Sequence, residues 1–190
     1  RRISETFKAK RIDNFAQWRN TQSHNGKIPD TRAPPAKNEL LAFLVRMTLG
    51  DGNIFRFPRT ERLVIACNSK DGKYIRHIIN LIKEVFKKEP QVKKCKNANC
   101  KHIKLYQSRL SERLQIPSGD KIKNNIVIPE EICKNRNLLI RCLKGLFETD
   151  GSFTIDKKNY TRVIEFKNMS KFLLNGVHLG LKDLNYHPQF

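Results

Sequence analysis

The chain has 190 residues, enough for one mid-sized domain or two small ones with a real core. Lys and Arg number 38 against 18 Asp and Glu, a formal charge of +20 at pH 7, and 38% of the residues are hydrophobic. The apolar content excludes a wholly disordered chain, and so large a positive excess, which repels itself on compaction, calls for a polyanionic partner, nucleic acid before an anionic membrane.

In chain order, residues 4–21 have helical spacing, with Phe7, Ile12, Phe15 and Trp18 near one face and Ser4 able to cap the start. Trp18 is read as a packing anchor rather than a base-stacking platform. Residues 24–37 hold one Gly and three Pro and read as a linker. The segment 1–37 is either a tail that docks on the main body or the remnant of a larger DNA-binding head. Residues 39–50 form an apolar helix, and 53–58 and 62–69 alternate as strands about a turn at Pro58–Glu61. Residues 72–88 are an amphipathic helix that turns Ile75, Ile78, Ile79, Ile82 and Phe86 inward. A second hairpin is expected at 91–96 and 101–106, joined at Asn97-Ala98-Asn99, then a short helix at 108–115, a loop at 117–125 and a short helix at 129–134. The order then restarts, with helix at 137–149, strands at 152–156 and 161–167, and helix at 170–186.

The restart is an internal repeat. An offset of 99 sets Asn38-Glu39-Leu40-Leu41 on Asn137-Leu138-Leu139-Ile140, Leu44 on Leu143, and Asp51-Gly52 on Asp150-Gly151; an offset of 100 sets Asn68 on Asn168, Leu81 on Leu181 and Phe86 on Tyr186. The expected division is therefore an N-terminal helical extension with its Pro-containing linker at 1–37, a first copy at 38–136, and a second at 137–190 that stops before a second hairpin. The fold class is α+β, two tandem αββαββα repeats with the second incomplete.

The two Asp-Gly pairs carry the chemistry. Asp71-Gly72 is an ordinary turn or helix start, but Asp51-Gly52 and Asp150-Gly151 each end an apolar helix and open a strand. Gly52 and Gly151 are expected as C-cap glycines. An Asp at a helix C-terminus meets the negative end of the dipole, so a residue chosen for stability would be Lys or Asn. The same unfavourable choice made twice, at equivalent places, points to use, and a divalent cation between the carboxylates would reverse its sign.

Leu44-Val45-Arg46-Met47-Thr48-Leu49-Gly50-Asp51-Gly52 resembles the LAGLIDADG motif, and Leu143-Lys144-Gly145-Leu146-Phe147-Glu148-Thr149-Asp150-Gly151 resembles it more closely. The stretch from Gly119 to Pro129 is similar to the inter-repeat segment of single-chain members, so the resemblance to the LAGLIDADG homing endonucleases spans roughly residues 38–190. It implies two motif helices packed in parallel at a pseudo-twofold axis, delivering Asp51 and Asp150 to the centre of a saddle-shaped sheet. It implies Mg2+ held by those carboxylates, with the backbone carbonyls of Gly50 and Thr149 as further ligands, activating water and stabilising charge in phosphodiester hydrolysis. An active-site lysine is expected at Lys121 or Lys123, the former preferred, with its counterpart in the second copy falling beyond residue 190. The third motif position is usually Gly, which lets the helices approach closely; Gly145 keeps it and Arg46 does not, so Arg46 must snorkel, find an acceptor or push the helices apart, and Glu148 is the only acid near by in the opposite motif.

Residues 87–104 contain seven Lys and one Glu. A charge run is often just a solvated face, but here clusters recur on equivalent hairpins: Arg56, Arg59 and Arg62 at the first, Lys93, Lys94, Lys96, Lys101 and Lys104 at the second, and Lys157, Lys158 and Arg162 in the second copy. These are the candidate DNA-binding residues, by base edge or phosphate. The five cysteines are irregularly spaced and read as reduced thiols of an intracellular protein, cytoplasmic or nucleoid-associated. Cys95, Cys100 and His102 make a Cys-x4-Cys-x-His cluster, but a fourth zinc ligand is missing and the strand spacing is poor, so no zinc site is expected. Cys67, Cys133 and Cys142 are expected as small core residues. His77, His178 and His187 fall in helical stretches without a nucleophile partner, and Gly-rich phosphate loops are absent.

The expected function is a monomeric, intron-encoded, Mg2+-dependent endonuclease cutting a long double-stranded DNA site. The alternatives are a LAGLIDADG-type maturase acting on RNA, a non-catalytic DNA-binding regulator, and an intein-embedded endonuclease whose flanking splicing segments are not visible. No apolar run reaches the ~20 residues that span a bilayer, so no membrane partner is expected, and residues 1–20 lack the apolar core of a signal peptide.

Overall fold

The structure is a computed structural model that describes residues 15–27, 35–36, 38–96 and 98–189. The chain divides into two units, 1–33 and 34–190. The first carries α1 (Phe15–His24), which ends where Gly26 takes a left-handed φ of 68°. Trp18 on this helix is 52% exposed. Ser4, Phe7 and Ile12, and most of the expected linker, lie outside the described residues.

The second unit opens with α2 (Glu39–Leu49), capped by Asn38, whose side chain accepts from the Leu41 N–H. Strands β1 (Gly52–Arg56) and β2 (Glu61–Asn68) follow, then α3 (Gly72–Phe86), β3 (Gln91–Lys94), β4 (Cys100–Gln107) and the short α4 (Leu110–Leu114) and α5 (Glu130–Cys133). The second copy repeats helix, hairpin, helix as α6 (Arg136–Asp150), β5 (Gly151–Asp156), β6 (Thr161–Phe166) and α7 (Lys171–Asp183).

The first copy builds an antiparallel sheet in the order β1-β2-β4-β3. Its register sets Leu63 on Leu105 and Ile65 on Ile103, all fully buried. The period-2 pattern of β2 sends Leu63, Ile65 and Cys67 to the core and leaves Arg62, Val64 and Ala66 on the outer face. The apolar stripe of α3, including Ile75, Ile78, Leu81, Ile82 and Phe86, belongs to the same core. Each fully buried side chain of this kind stabilises the fold by about 1.5–3 kcal/mol.

Helices α2 and α6 pack side by side in the same direction. Glu39 near the start of α2 pairs with Arg141 in α6 at 2.8 Å, Arg46 pairs with Glu148 at 2.7 Å, and Gly50 meets Thr149 at the far end. A Cβ at Gly50 would stand 2.7 Å from Thr149 Oγ1, so the helices are still in close contact where the two aspartates emerge.

The second copy differs from the first in cover. Strands β5 and β6 form a two-stranded sheet, and Phe153, Ile155 and Ile164 are 59%, 55% and 68% exposed. Helix α7 packs on α6 instead, with Leu173, Val177 and Gly180 buried and Gly180 backed onto Leu139 and Leu143.

Two expectations need correction. In β1 and β5, Gly52 and Gly151 correspond; the register then pairs Gly52 with Ile65 and Gly151 with Phe166, so Arg62 corresponds to Val163 and not to a residue 100 positions on. The second hairpin gains one residue in each strand between these pairs, and its turn is held by Asp156, which accepts from the N–H groups of Lys158 and Asn159. Cys67 and Cys142 are buried as expected, but Cys133 is exposed, because it closes the four-residue α5 at the surface.

Candidate active site and nucleic-acid surface

Asp51 follows the end of α2 and Asp150 is the last residue of α6. Gly151 is the C-cap of α6, as expected, its N–H donating to the Phe147 carbonyl, whereas α2 is capped by Gly50 and not Gly52. Neither Gly52 nor Gly151 has positive φ, and Gly151 is extended at φ −92°, ψ 159°. The chain folds straight from helix into strand, back against the last helical turn. A Cβ at Gly52 would lie 2.6 Å from the Thr48 Cα and 2.9 Å from the Met47 carbonyl, and one at Gly151 would overlap the Phe147 carbonyl. Close approach of backbone to backbone is what excludes a side chain there.

A loop brings Lys121 to the two aspartates. Gly119, at φ +98°, donates its N–H to the Ile54 carbonyl at 2.7 Å and so anchors the loop on β1. Asp120 then caps the following turn by accepting from Ile122 and Lys123 N–H at 2.9 and 3.2 Å. Lys121 Nζ donates to the carbonyls of Leu49 (2.8 Å) and Gly50 (2.5 Å), two of the orphan acceptors at the C-terminus of α2. Burial pulls its pKa down to about 8 against the upward pull of Asp150 and Asp51. Burial and the charge of Asp150 push the Asp51 carboxyl above the usual carboxylate range, with Lys121 opposing. Of the two expected lysines, Lys121 stands at the carboxylates, while Lys123 is exposed.

Asn168 was not singled out in the sequence as a site residue. Its Nδ2 donates to Asp150 Oδ2 at 2.9 Å. The repeat had touched this residue, as the partner of Asn68, but nothing in the pattern tied it to Asp150; Asn68 instead accepts from Lys70 N–H. Together Asn53, Phe55, Lys121, Asp150, Asn168 and Met169 line an open pocket of about 650 Å3. Gly50, whose carbonyl was an expected metal ligand, lines it too, that carbonyl already accepting from Lys121; Thr149 packs against Gly50.

Arg46 does not push the helices apart. Its side chain fills the space over Gly145, its guanidinium carbon lies 3.7 Å from the centre of the Phe43 ring, and Nη1 donates to Glu148 Oε2 at 2.7 Å. Buried, stacked and paired, the charge is satisfied inside the interface.

Register sorts the basic candidates. Arg62, Lys93 and Lys104 share the outer face of the four-stranded sheet, because Lys93 pairs with His102 and Arg62 with Tyr106. Arg62 sits among Phe55, Phe57 and Tyr106, with ring centres 4.6, 5.2 and 5.9 Å from its guanidinium carbon, so its head is held in place over that face. Lys94 and Lys101 pair with one another on the opposite parity, Arg56 is at the end of β1 on that same parity, and Arg59 and Lys96 are in the turns. Lys157 and Lys158 occupy the exposed turn of the second hairpin. Arg162 faces the other way from Arg62: it pairs with Ile155 and lines an apolar groove with Ile140, Phe147 and Ile164.

The hairpin register also gathers three residues whose linear spacing looked unfavourable. Cys95 N–H donates to the Cys100 carbonyl at 2.9 Å, which sets the two cysteines opposite one another, and His102 follows Cys100 on the same face.

Residues 137–189 match the family described as LAGLIDADG-like domain. No curated protein sequence matches the chain significantly. Among solved structures, the chain is similar to I-DmoI in complex with DNA and Mn, at 20% identity over 80% of each chain with a TM-score of 0.54. It is also similar to mesophilic variants of the homing endonuclease I-DmoI, at 20% identity over 77% of each chain with a TM-score of 0.53, and to I-DmoI with DNA and Ca, at 20% identity, a TM-score of 0.53, and 77% of this chain against 72% of that one. The paired helices with an aspartate at each end, set beside antiparallel hairpins, thus make up a LAGLIDADG-type α+β fold. Residues 137–189 carry the likeness to that family in sequence, and over most of the chain the likeness to these structures is one of fold.

Proposed function

We propose that this chain is a sequence-specific endonuclease that makes double-strand breaks in a long DNA target, using Mg2+ at Asp51 and Asp150. The observation that carries the reading is the convergence of two helix-end carboxylates on one lysine of lowered pKa, with Asp150 and Lys121 lining an open pocket beside a basic sheet face. The donor set fits a hard divalent cation: carboxylate oxygens, with the Asp51 carboxyl destabilised as an anion by burial and by Asp150. A cation bound there supplies charge neutralisation and activation of water. Asn168 holds the orientation of Asp150. Lys121, ammonium below about pH 8, offsets negative charge beside both aspartates. Arg62, Lys93 and Lys104 meet phosphates or base edges of the duplex on the outer sheet face. The similar I-DmoI structures hold DNA with Mn or Ca, which agrees with a divalent cation and a duplex partner. Because one chain supplies both aspartates, a monomer suffices.

Cleavage-site selection tests the reading. The protein is incubated with a randomised duplex library and Mg2+, with the Asp51→Asn, Asp150→Asn double variant in parallel. Double-strand ends that appear with wild type only are expected, and their sequences give the target. Binding without cuts in either sample would replace the nuclease reading with that of a maturase or regulator.

A further inference from the structure

We propose that Cys95, Cys100 and His102 form a zinc site at the tip of the β3–β4 hairpin. The inference is independent of the nuclease reading. Among the described residues this is the one group of three or more His, Cys, Asp or Glu side chains whose ligand atoms converge, all lying within 4.8 Å of one another. Tetrahedral zinc, with Zn–S near 2.3 Å and Zn–N near 2.0 Å, sets its ligand atoms on the order of 3.5–3.8 Å apart, so small side-chain rotations close the shell.

Linear spacing hid the arrangement. In the antiparallel register Lys93 faces His102, and the next pair outward on the same face, beyond Lys94 and Lys101, is Cys95 facing Cys100. Cys100 and His102 are two residues apart on one face, and the cross-strand cysteine supplies the third corner. All three side chains are partly buried, and the thiols of Cys95 and Cys100 share a hydrogen bond. The donors are two sulfurs and an imidazole nitrogen, soft or borderline, with no carboxylate, which selects zinc over Mg2+ or Ca2+. On binding, two S–H protons leave to solvent as two Zn–S bonds form, and the neutral imidazole donates its lone pair. The resulting unit carries no net charge, so it adds no repulsion to the lysines around it, Lys93 and Lys104 among them. The fourth position is left to water.

The hairpin has reason to need a clip. Strand β3 is four residues long, lies at the sheet edge, and has every side chain exposed. It therefore gains little from burial, and a metal bridge across the last pair would fix its register and with it the position of Lys93.

Zinc and cobalt titration of the full chain, purified under reductant and stripped with chelator, tests this. One equivalent of Co2+ is expected to give thiolate-to-metal charge-transfer absorption, and one Zn2+ to displace it and protect two thiols from a thiol reagent. Cys95→Ser, Cys100→Ser and His102→Gln are each expected to weaken binding by about 100-fold or more, since even outer-shell changes cost 10–100-fold. Cys133→Ser, at the exposed cysteine, should change nothing. Absence of the charge-transfer band, or its persistence in the Cys95 and Cys100 variants, overturns the proposal; so does a His102→Gln variant that binds zinc as tightly as wild type.

Discussion

Arg46 of α2 and Gly145 of α6 are a matched pair: the side chain of the first occupies the space that any Cβ at the second would need. Their fit carries the guanidinium onward to Glu148 and onto Phe43. Gly145→Ala should therefore destabilise the protein by about 1–3 kcal/mol, the usual range for overpacking. Arg46→Ala added to it should recover most of that loss, and a double-mutant cycle by urea denaturation would measure the coupling. Glu148→Ala should cost less, about 1–2 kcal/mol, because Glu148 is 53% exposed and solvent replaces part of the lost pairing.

Asp51→Asn should separate stability from activity. The folded-state pKa of Asp51 is raised, so its contribution is fully present below the unfolded value of 3.8 and is lost as pH rises through the folded value. At neutral pH the ionised carboxylate is thus a burden until a cation arrives. In chelator at neutral pH the variant should melt about 1–2 °C higher than wild type, a small shift because the group still reaches solvent. Mg2+ should raise the melting temperature of wild type only, and cleavage by the variant should fall about 100–1000-fold or more.

Lys121 should leave its signature near pH 8. Its folded pKa, about 8, lies below the unfolded 10.5, so between these values the unfolded state binds the extra proton and stability from this group rises with pH. Its electrostatic role requires the ammonium form, so the ratio of wild-type to Lys121→Met cleavage rates should fall as pH passes through 8. Below that point Lys121→Met should be slower by about 100-fold, in the range of positioned charged or proton-transfer groups. Single-turnover cleavage at a series of pH values measures both, with DNA affinity recorded alongside and expected to stay unchanged.

The outer-face cations should differ from their neighbours on the other parity. Arg62→Ala, Lys93→Ala and Lys104→Ala should each lower DNA affinity, and each lysine change should reduce the slope of log affinity against log salt by about 1. Lys94→Ala and Lys101→Ala, whose side chains point from the opposite face, should leave the slope within error. Fluorescence anisotropy at several salt concentrations reads this directly.

Asn168→Ala should slow cleavage by about 10–100-fold, the range for residues that orient a metal-binding group. Binding of the duplex should be unaffected, since Asn168 acts on Asp150 and not on the basic face.

The helix pair, the order of elements and the two aspartates were legible because they rest on local signals: apolar periodicity, a repeated Asp-Gly, and an offset that a single chain can be read against. Lys121 was legible as one of two neighbouring lysines, but the choice between them depended on how Gly119 and Asp120 turn the loop onto β1. What the sequence hid was set by strand register. One extra residue in each strand of the second hairpin placed Val163, not a basic residue, at the position of Arg62, and turned Arg162 toward α6. The same kind of cross-strand pairing brought Cys95 onto Cys100, which linear spacing could not show. Gly151 caps its helix as the sequence suggested and Gly52 does not, and why either is glycine was hidden, because sequence does not mark whether dihedral freedom or missing bulk is what the site requires.

The Arg46–Gly145 fit also decides which halves can associate. Two first copies brought together would set guanidinium against guanidinium inside the helix interface. The residue that corresponds to Glu148 in the first copy is Leu49, which has no acceptor to give. A chain divided between the copies would therefore reassemble as a heterodimer and not as a pair of first halves. The duplication is irreversible at this position: once Arg46 and Gly145 had diverged, each half became a receptor for the other.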